Sequence, residues 1–211
     1  METSASNGHV YQLPPDVKEF CDDAKRIVRE ELMPLEQRYV PHPGHAYGLR
    51  EIFCLQAVFE KEVVDRLVKI SRDTGLWYLL VPEEHGGLGL SLLAQVAIME
   101  QFMYTPVPFP FANVPNILYS CQGEQIERFL KPVIEGKKIT SFAQTEPNAG
   151  SDPGGMMQTR AVKRGTKWML NGTKMWISGA AECDVIMVQA VTDAEKRQRG
   201  GRNRAHGAAF F

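Results

Sequence analysis

The feature that most constrains this chain is a change of hydrophobic period near Gly136. Before it, apolar residues recur every three or four positions, as on one face of a helix. After it, short runs are bounded by turn residues, as in strands. Val17, Phe20, Cys21, Ala24, Ile27 and Val28 outline a first helix after Pro14 and Pro15, with Asp16 and Glu19 fitting an acidic capping box and Pro34 ending it. A Pro/Gly/His loop over 39–48 precedes a second helix from near Leu49 towards Arg72, with Gly75 placed to cap its end. The stretch 80–90, LVPEEHGGLGL, reads as an ordered turn. Ser91 can cap a third helix, Leu92–Met103, whose apolar residues lie on nearly every side and predict a buried central helix. Pro106, Pro108 and Pro110 break the chain. Two more helices are predicted, over 113–121 and after Gly123, the latter divided by Pro132.

Beyond Gly136, strands are predicted over 139–144, 160–163, 167–170, 174–178 and 184–192, and no helix. Arg164-Gly165-Thr166 marks a hairpin and Asn171-Gly172 a tight turn. No strand pattern resumes between Thr192 and Phe211, so the sheet reads as unfinished. The fold class is therefore α+β, an all-α domain followed by an incomplete antiparallel β domain. The expected divisions are a polar segment 1–15, a helical domain 16–136, a β domain 137–193 and a basic tail 194–211.

Lys plus Arg number 24 and Asp plus Glu 25, a formal net charge of -1, which gives no global attraction to nucleic acid or an anionic membrane. METSASNGHV carries neither an apolar h-region nor an Arg-rich amphipathic pattern, no window matches a spanning helix, and the cytoplasm is the default compartment. Cys21, Cys54, Cys121 and Cys183 are too widely spaced for a zinc site or a redox dithiol and read as reduced thiols. His42 and His45 lie in the Pro/Gly loop and His9, His85 and His206 stand alone, so no metal ligand set is assembled.

Two segments carry chemistry. Thr145–Gly155 leaves a strand and is dense in turn residues. Such a segment can curl amide N–H groups around an anion, with the Thr145 and Ser151 hydroxyls as further donors. Lys174–Gly179 sets Trp176, a flat face for a planar ligand, beside the hydroxyl of Ser178. Taken alone, the first segment reads as a plain surface loop and the second as a core Trp on a strand.

Taken together, four stretches resemble the acyl-CoA dehydrogenase family, in order, from about Asp16 to Asp193. LVPEEHGGLGL (80–90) resembles the family's VPEEYGGLGL-like segment. Gly123-Glu124-Gln125, Leu130-Lys131-Pro132 and Gly136-Lys137 resemble its GTEEQK…LPPLASGE stretch. FAQTEPNAGSD (142–152) resembles A-x-TEP-x-AGSD, and LNGTKMWIS (170–178) resembles LNGxKxWIT. The resemblance implies a helical N-terminal domain, a middle β domain and a C-terminal four-helix domain, the last with no counterpart in this sequence. It also implies FAD as cofactor, an acyl-CoA substrate oxidised to a trans-2-enoyl-CoA, and an electron-transferring flavoprotein as acceptor. The family assembles as homodimers or homotetramers.

By motif position, the resemblance places Phe142, Gln144 and Thr145 along the flavin. Gly150 and Ser151 border FAD and the CoA end of the substrate, and Trp176, Ile177 and Ser178 cover the ring and its N5 edge. Ser178 stands where the family commonly has Thr. Asn148 stands where Gly is common and is expected to tolerate a left-handed backbone. The family's catalytic glutamate belongs to the C-terminal domain, so no catalytic residue is assigned. Glu146 is read as structural, and Glu83 and Glu84 as solvated turn carboxylates. The chain is thus expected to be a fragment, inactive alone or dependent on another polypeptide. Rival readings are a dinucleotide-binding reductase built on Gly87-Leu88-Gly89 and a non-catalytic binding module using the basic residues 196–204.

Overall fold

The computed structural model describes residues 13–36, 59–193 and 208–210. The chain divides into two compact units, residues 1–112 and 113–211.

In the first unit, α1 (Pro15–Ile27) begins with proline at its first position, where the missing N–H costs nothing. No side chain caps it, so the expected Asp16/Glu19 capping box is not formed; Pro14 occupies the cap position. Val17, Cys21, Ala24 and Ile27 form one buried stripe. The chain then widens into a π turn, Val28–Leu32, and tightens into a 3₁₀ turn, Met33–Leu35. Pro34 lacks the N–H that would reach back to Glu30, which explains why regular α geometry stops here. The expected loop over 39–48 and the expected start of the second helix near Leu49 lie outside the described residues, but Phe59 and Glu60 are not helical and the helix begins at Lys61 with Glu60 at its cap. That helix, α2, is seen as Lys61–Asp73, and Gly75 follows it with φ 77°, the left-handed cap its position suggested.

The stretch 80–90 is an ordered turn and no strand. Gly86 has φ 84°, and the Gly87 amide donates to the Pro82 carbonyl at 3.0 Å. A Cβ on Gly87 would lie 1.6 Å from the Val81 carbonyl oxygen, so the close backbone approach admits only glycine. Among the described residues no strand precedes Thr140, which removes the β-α-β context a dinucleotide loop needs.

Helix α3 (Leu92–Phe102) starts at Ser91, whose hydroxyl accepts the Ala94 amide at 3.3 Å. Ser91→Ala is expected to lower stability by about 1 kcal/mol in chemical denaturation, the usual loss for a side-chain cap. Ala94, Ile98 and Phe102 are buried, but Leu92 and Val96 are 75% and 55% exposed. The predicted all-round burial is therefore wrong: one face packs against α1 and the other is open. The proline-rich run that follows brings Phe109 against Phe102 in a stack at 4.7 Å, with Phe111 edge-on to both.

In the second unit, Asn116–Ser120 is a 3₁₀ turn in place of the expected helix, and the segment after Gly123 begins as a π turn, Ile126–Leu130. A short α4, Lys131–Ile134, follows it. Pro132 cannot donate to the Arg128 carbonyl, and the Lys138 ammonium does so instead at 3.0 Å. Leu130, Val133 and Ile134 face inward.

The sheet holds β1 (Thr140–Ala143), β2 (Arg160–Arg164), β3 (Lys167–Asn171), β4 (Val185–Val191) and β5 (Ala208–Phe210), in the order β1-β4-β2-β3 with β5 also on β4. The α+β class holds, but the pairing is mixed rather than antiparallel. Strand β1 runs parallel to β4, with Phe142 beside Met187, and β2 meets β4 in parallel through Arg160 and Val191. Strands β2 and β3 form the predicted antiparallel hairpin, turning at Gly165 with φ 61°. Two expectations fail here. Pro153–Met156 is a short helix, α5, where none was foreseen, and β5 supplies a strand after Thr192. Three residues are too few to show an alternation, so β5 left no readable pattern. Residues 194–207, with the basic run, lie outside the described residues. No described helix is long and apolar enough to cross a membrane.

Candidate functional site

Strand β1 delivers its C-terminal end into the polar turn. Gln144 is pinned at the exit, where its side-chain amide donates to the Gln189 side chain on β4 at 2.7 Å. The next residues close on themselves. The Ala149 amide donates to the Glu146 carbonyl at 3.2 Å, and the Glu146 amide returns to the Ala149 carbonyl at 3.4 Å. Pro147 presets the backbone of this turn. Asn148 keeps a negative φ, so the left-handed conformation expected of it is not used. Asp152 then caps α5, accepting the Gly155 amide at 2.9 Å.

The Trp-bearing segment is not a strand. Residues 173–177 form no ladder, and the turn expected at Asn171-Gly172 is instead a close approach to Thr159. The segment is a bridge tied at both ends to β1 and the polar turn. At its start, the Met175 amide donates to the Thr145 carbonyl at 3.0 Å. The Lys174 ammonium there donates to the Gln144 carbonyl and to Glu146 Oε1, both at 2.9 Å. At its far end, the Ser141 hydroxyl donates to the Ser178 carbonyl at 2.8 Å, and the chain turns back through Gly179, φ 70°.

Glu146 is the hub of this arrangement. It is 4% exposed. Its Oε2 accepts the Gln158 amide at 2.6 Å, and its Oε1 accepts the Thr159 amide at 2.9 Å beside the Lys174 ammonium. Burial alone pushes this carboxyl up. The neighbouring Thr159 hydroxyl, the two backbone amides and Lys174 outweigh burial and hold it down to about 2. The Thr159 hydroxyl is buried without a well-formed hydrogen bond, so it acts here by proximity. The carboxylate thus takes the structural role expected of it. Lys174 falls within the Trp segment and the LNGxKxWIT resemblance but carries no assigned role there; its pairing with Glu146, 28 residues away, is revealed only by the fold.

Between these anchors Trp176 stands 80% exposed with φ 59°, alone in positive φ among the described non-glycine residues. Such a backbone costs on the order of 1–3 kcal/mol for a bulky residue and persists because both flanks are tied. Phe142 is 42% exposed, and Ile177 is half-buried. Gly150 and Ser151 are exposed, and a Cβ on Gly150 would meet nothing within 4 Å. Neither packing nor backbone within the chain requires glycine there. Among the described residues, the hydroxyls of Thr145, Ser151 and Ser178 make no hydrogen bond. The turn and the Trp bridge therefore meet in space, bearing the exposed Trp176 ring, the partly exposed Phe142 ring and three uncommitted hydroxyls. No group of three His, Cys, Asp or Glu gathers among the described residues to hold a metal.

Comparison with known proteins identifies the family of this chain. The model of the acyl-CoA dehydrogenase N-terminal domain matches residues 14–137, and that of the acyl-CoA dehydrogenase middle domain matches residues 141–207. The chain belongs to the acyl-CoA dehydrogenase family. It is 40% identical over 150 residues to the caffeyl-CoA reductase-Etf complex subunit CarC of Acetobacterium woodii, covering 67% of this chain and 38% of that protein. It is 31% identical over 192 residues to the mitochondrial long-chain specific acyl-CoA dehydrogenase of Mus musculus, covering 78% of this chain and 43% of that protein. Among solved structures, a glutaryl-CoA dehydrogenase of Mycobacterium smegmatis in complex with FADH2 superposes with a TM-score of 0.61 at 25% identity, over 86% of this chain and 44% of that one. The chain thus spans less than half the length of these proteins.

Proposed function

We propose that this chain forms the flavin-facing side of an acyl-CoA oxidoreductase site, whose FAD, when bound, would supply the redox chemistry at the β carbon of an acyl thioester. The observation that carries the reading is Trp176, exposed and backbone-strained, held beside the uncommitted hydroxyls of Thr145, Ser151 and Ser178. A bulky residue in a costly conformation with its ring in water is paired with a role outside the folded chain. When bound, FAD supplies the hydride acceptor that no side chain can provide. Phe142, Gln144 and Thr145 would line its ring; Gly150 and Ser151 would face its polar tail, with Ser151 also placed to reach the substrate. Trp176, Ile177 and Ser178 would exclude water from the ring face, with the Ser178 hydroxyl free to donate to the cofactor. Gly150 admits a close approach because it carries no Cβ.

Glu146 is committed to three donors and its proton is lost far below neutrality, so it does not serve as base. The base that removes the α proton lies outside the described residues. The similar proteins include both reductases and dehydrogenases, and the chemistry at this half of the site is common to either direction. Electrons pass to or from an electron-transferring flavoprotein, in keeping with the Etf complex to which one relative belongs.

Reconstitution of the purified 211-residue chain with FAD tests the reading. Visible flavin absorbance is expected to co-elute with the protein, and Trp176→Ala is expected to weaken uptake at least about tenfold, the loss of one stacked ring. A chain that takes up no flavin at saturating FAD, or a variant that binds it unchanged, overturns the proposal.

A further inference from the structure

We propose that the outer face of the β2–β3 hairpin is a separate binding site for the nucleoside diphosphate group of a purine nucleotide. The face holds a cleft of about 370 Å³ whose lining includes Gln158, Arg160, Val162, Arg164, Met169 and Asn171. This volume falls in the range of small-molecule pockets. The hairpin register explains the company these residues keep. Arg160 pairs with Asn171, Val162 with Met169 and Arg164 with Lys167, so their side chains share one side of the ribbon.

The chemistry is graded along the cleft. At the turn end Arg164 lines the cleft, with Lys167 its ladder partner just outside it, and the lining holds no acidic residue. In the middle, Val162 and Met169, 54% and 50% exposed, make an apolar floor. At the other end, Arg160 lies beside the carboxamides of Asn171 and Gln158. Arg160 and Arg164 are about 13 Å apart along the strand. A ligand matching this order carries a polyanionic head, a flat apolar body and an edge of hydrogen-bond donors and acceptors. A guanidinium binds phosphate oxygens bidentately and also stacks on an aromatic plane. A thioether contacts aromatic rings well. Carboxamides match the paired donor and acceptor on a purine edge.

The bland alternative is a solvated basic face. Elsewhere in the described residues, cations pair readily: Lys25 with Asp22, Arg26 with Asp23, Arg66 with Glu31 and Lys131 with Glu127. Among the same residues neither Arg160, Arg164 nor Lys167 forms an ion pair or a hydrogen bond through its side chain. Two unpaired arginines in the lining and a third unpaired cation, Lys167, beside it, with an apolar floor and two carboxamides at one end, are a more specific arrangement than surface charge requires. The cleft also abuts the clamp, because the Gln158 amide is held by Glu146 and Gly172 lines the same cleft. This inference goes beyond the flavin reading and does not depend on it.

The test titrates the purified full chain with ADP by calorimetry, alongside adenosine and inorganic pyrophosphate. ADP is expected to bind, each fragment at least about tenfold more weakly, and Arg164→Ala and Arg160→Ala each to weaken ADP about tenfold. Arg164→Lys should recover only part of the loss, since an ammonium lacks the guanidinium fork. Displacement of ADP by CoA assigns the site to the nucleotide end of a thioester; retention of ADP in the presence of CoA assigns it to a free nucleotide. FAD uptake by Arg164→Ala, read by flavin absorbance, is expected to be unchanged. Equal affinity for pyrophosphate and ADP overturns the proposal, as does ADP binding indifferent to the arginine variants. Parallel loss of FAD in those variants overturns a separate site, and flavin failure alone leaves this inference standing.

Discussion

Glu146→Ala is expected to lower the unfolding free energy by roughly 3–5 kcal/mol, measured by urea denaturation, because it removes one partner of a buried ion pair. The Lys174 ammonium is then left with the Gln144 carbonyl alone, and the Gln158 and Thr159 amides lose their acceptor. Side-chain exposures of 3% for Glu146 and 10% for Lys174 mean that water cannot readily replace them. The loss is also functional, since Lys174 anchors the start of the Trp bridge. Flavin uptake should fall with stability in Glu146→Ala and in Lys174→Met alike. The pH dependence gives an independent reading. The Glu146 carboxyl sits at about 2 in the folded chain against an ordinary 4.5. A depressed carboxyl stabilises the fold above its ordinary value, and that contribution fades as pH falls through 4.5 towards 2. The gap corresponds to about 3 kcal/mol. The stability difference between the native chain and Glu146→Gln should therefore narrow progressively on acidification. A difference that stays constant from neutrality to about pH 2, or a loss in Glu146→Ala below about 1 kcal/mol, removes the clamp from the account.

Gly172→Ala should lower stability by roughly 3 kcal/mol and detach the bridge from the hairpin. Gly172 has φ 156°, and a Cβ there would lie 2.5 Å from the Thr159 Cα and 2.3 Å from its hydroxyl oxygen. Thr159 cannot yield. Its amide is held by Glu146, and its carbonyl accepts the Val191 amide at 2.8 Å. Overlap with anchored backbone adds to the strain of the φ angle. Gly165→Ala is the matched control: its φ is also positive but no atom lies within 4 Å of the added Cβ. It should cost about 1 kcal/mol, the backbone term alone. Equal losses at the two positions in thermal unfolding would sink the contact argument.

The β2–β3 hairpin was legible because its evidence is local: two short runs and a glycine between them whose left-handed φ the turn requires. Helix α3 was legible in position, through Ser91, but not in burial, since an all-round apolar surface does not say which side meets protein. The Trp segment misled for a related reason. Met175, Trp176 and Ile177 have strand-like propensity, yet their conformation is set by Lys174 reaching Glu146 and by Ser141 reaching Ser178. Those contacts span 28 and 37 residues, and no local period encodes them.

What the amino-acid order alone settled was the helix-to-strand transition near Gly136 and the family to which the chain belongs, because both rest on periodicity and motifs within a few residues of each other. The folded chain decided the rest. It made the sheet mixed, added β5, strained Trp176 and buried the Glu146–Lys174 pair. Each of these depends on groups brought together from far along the chain, where burial and geometry, rather than local preference, set the energy.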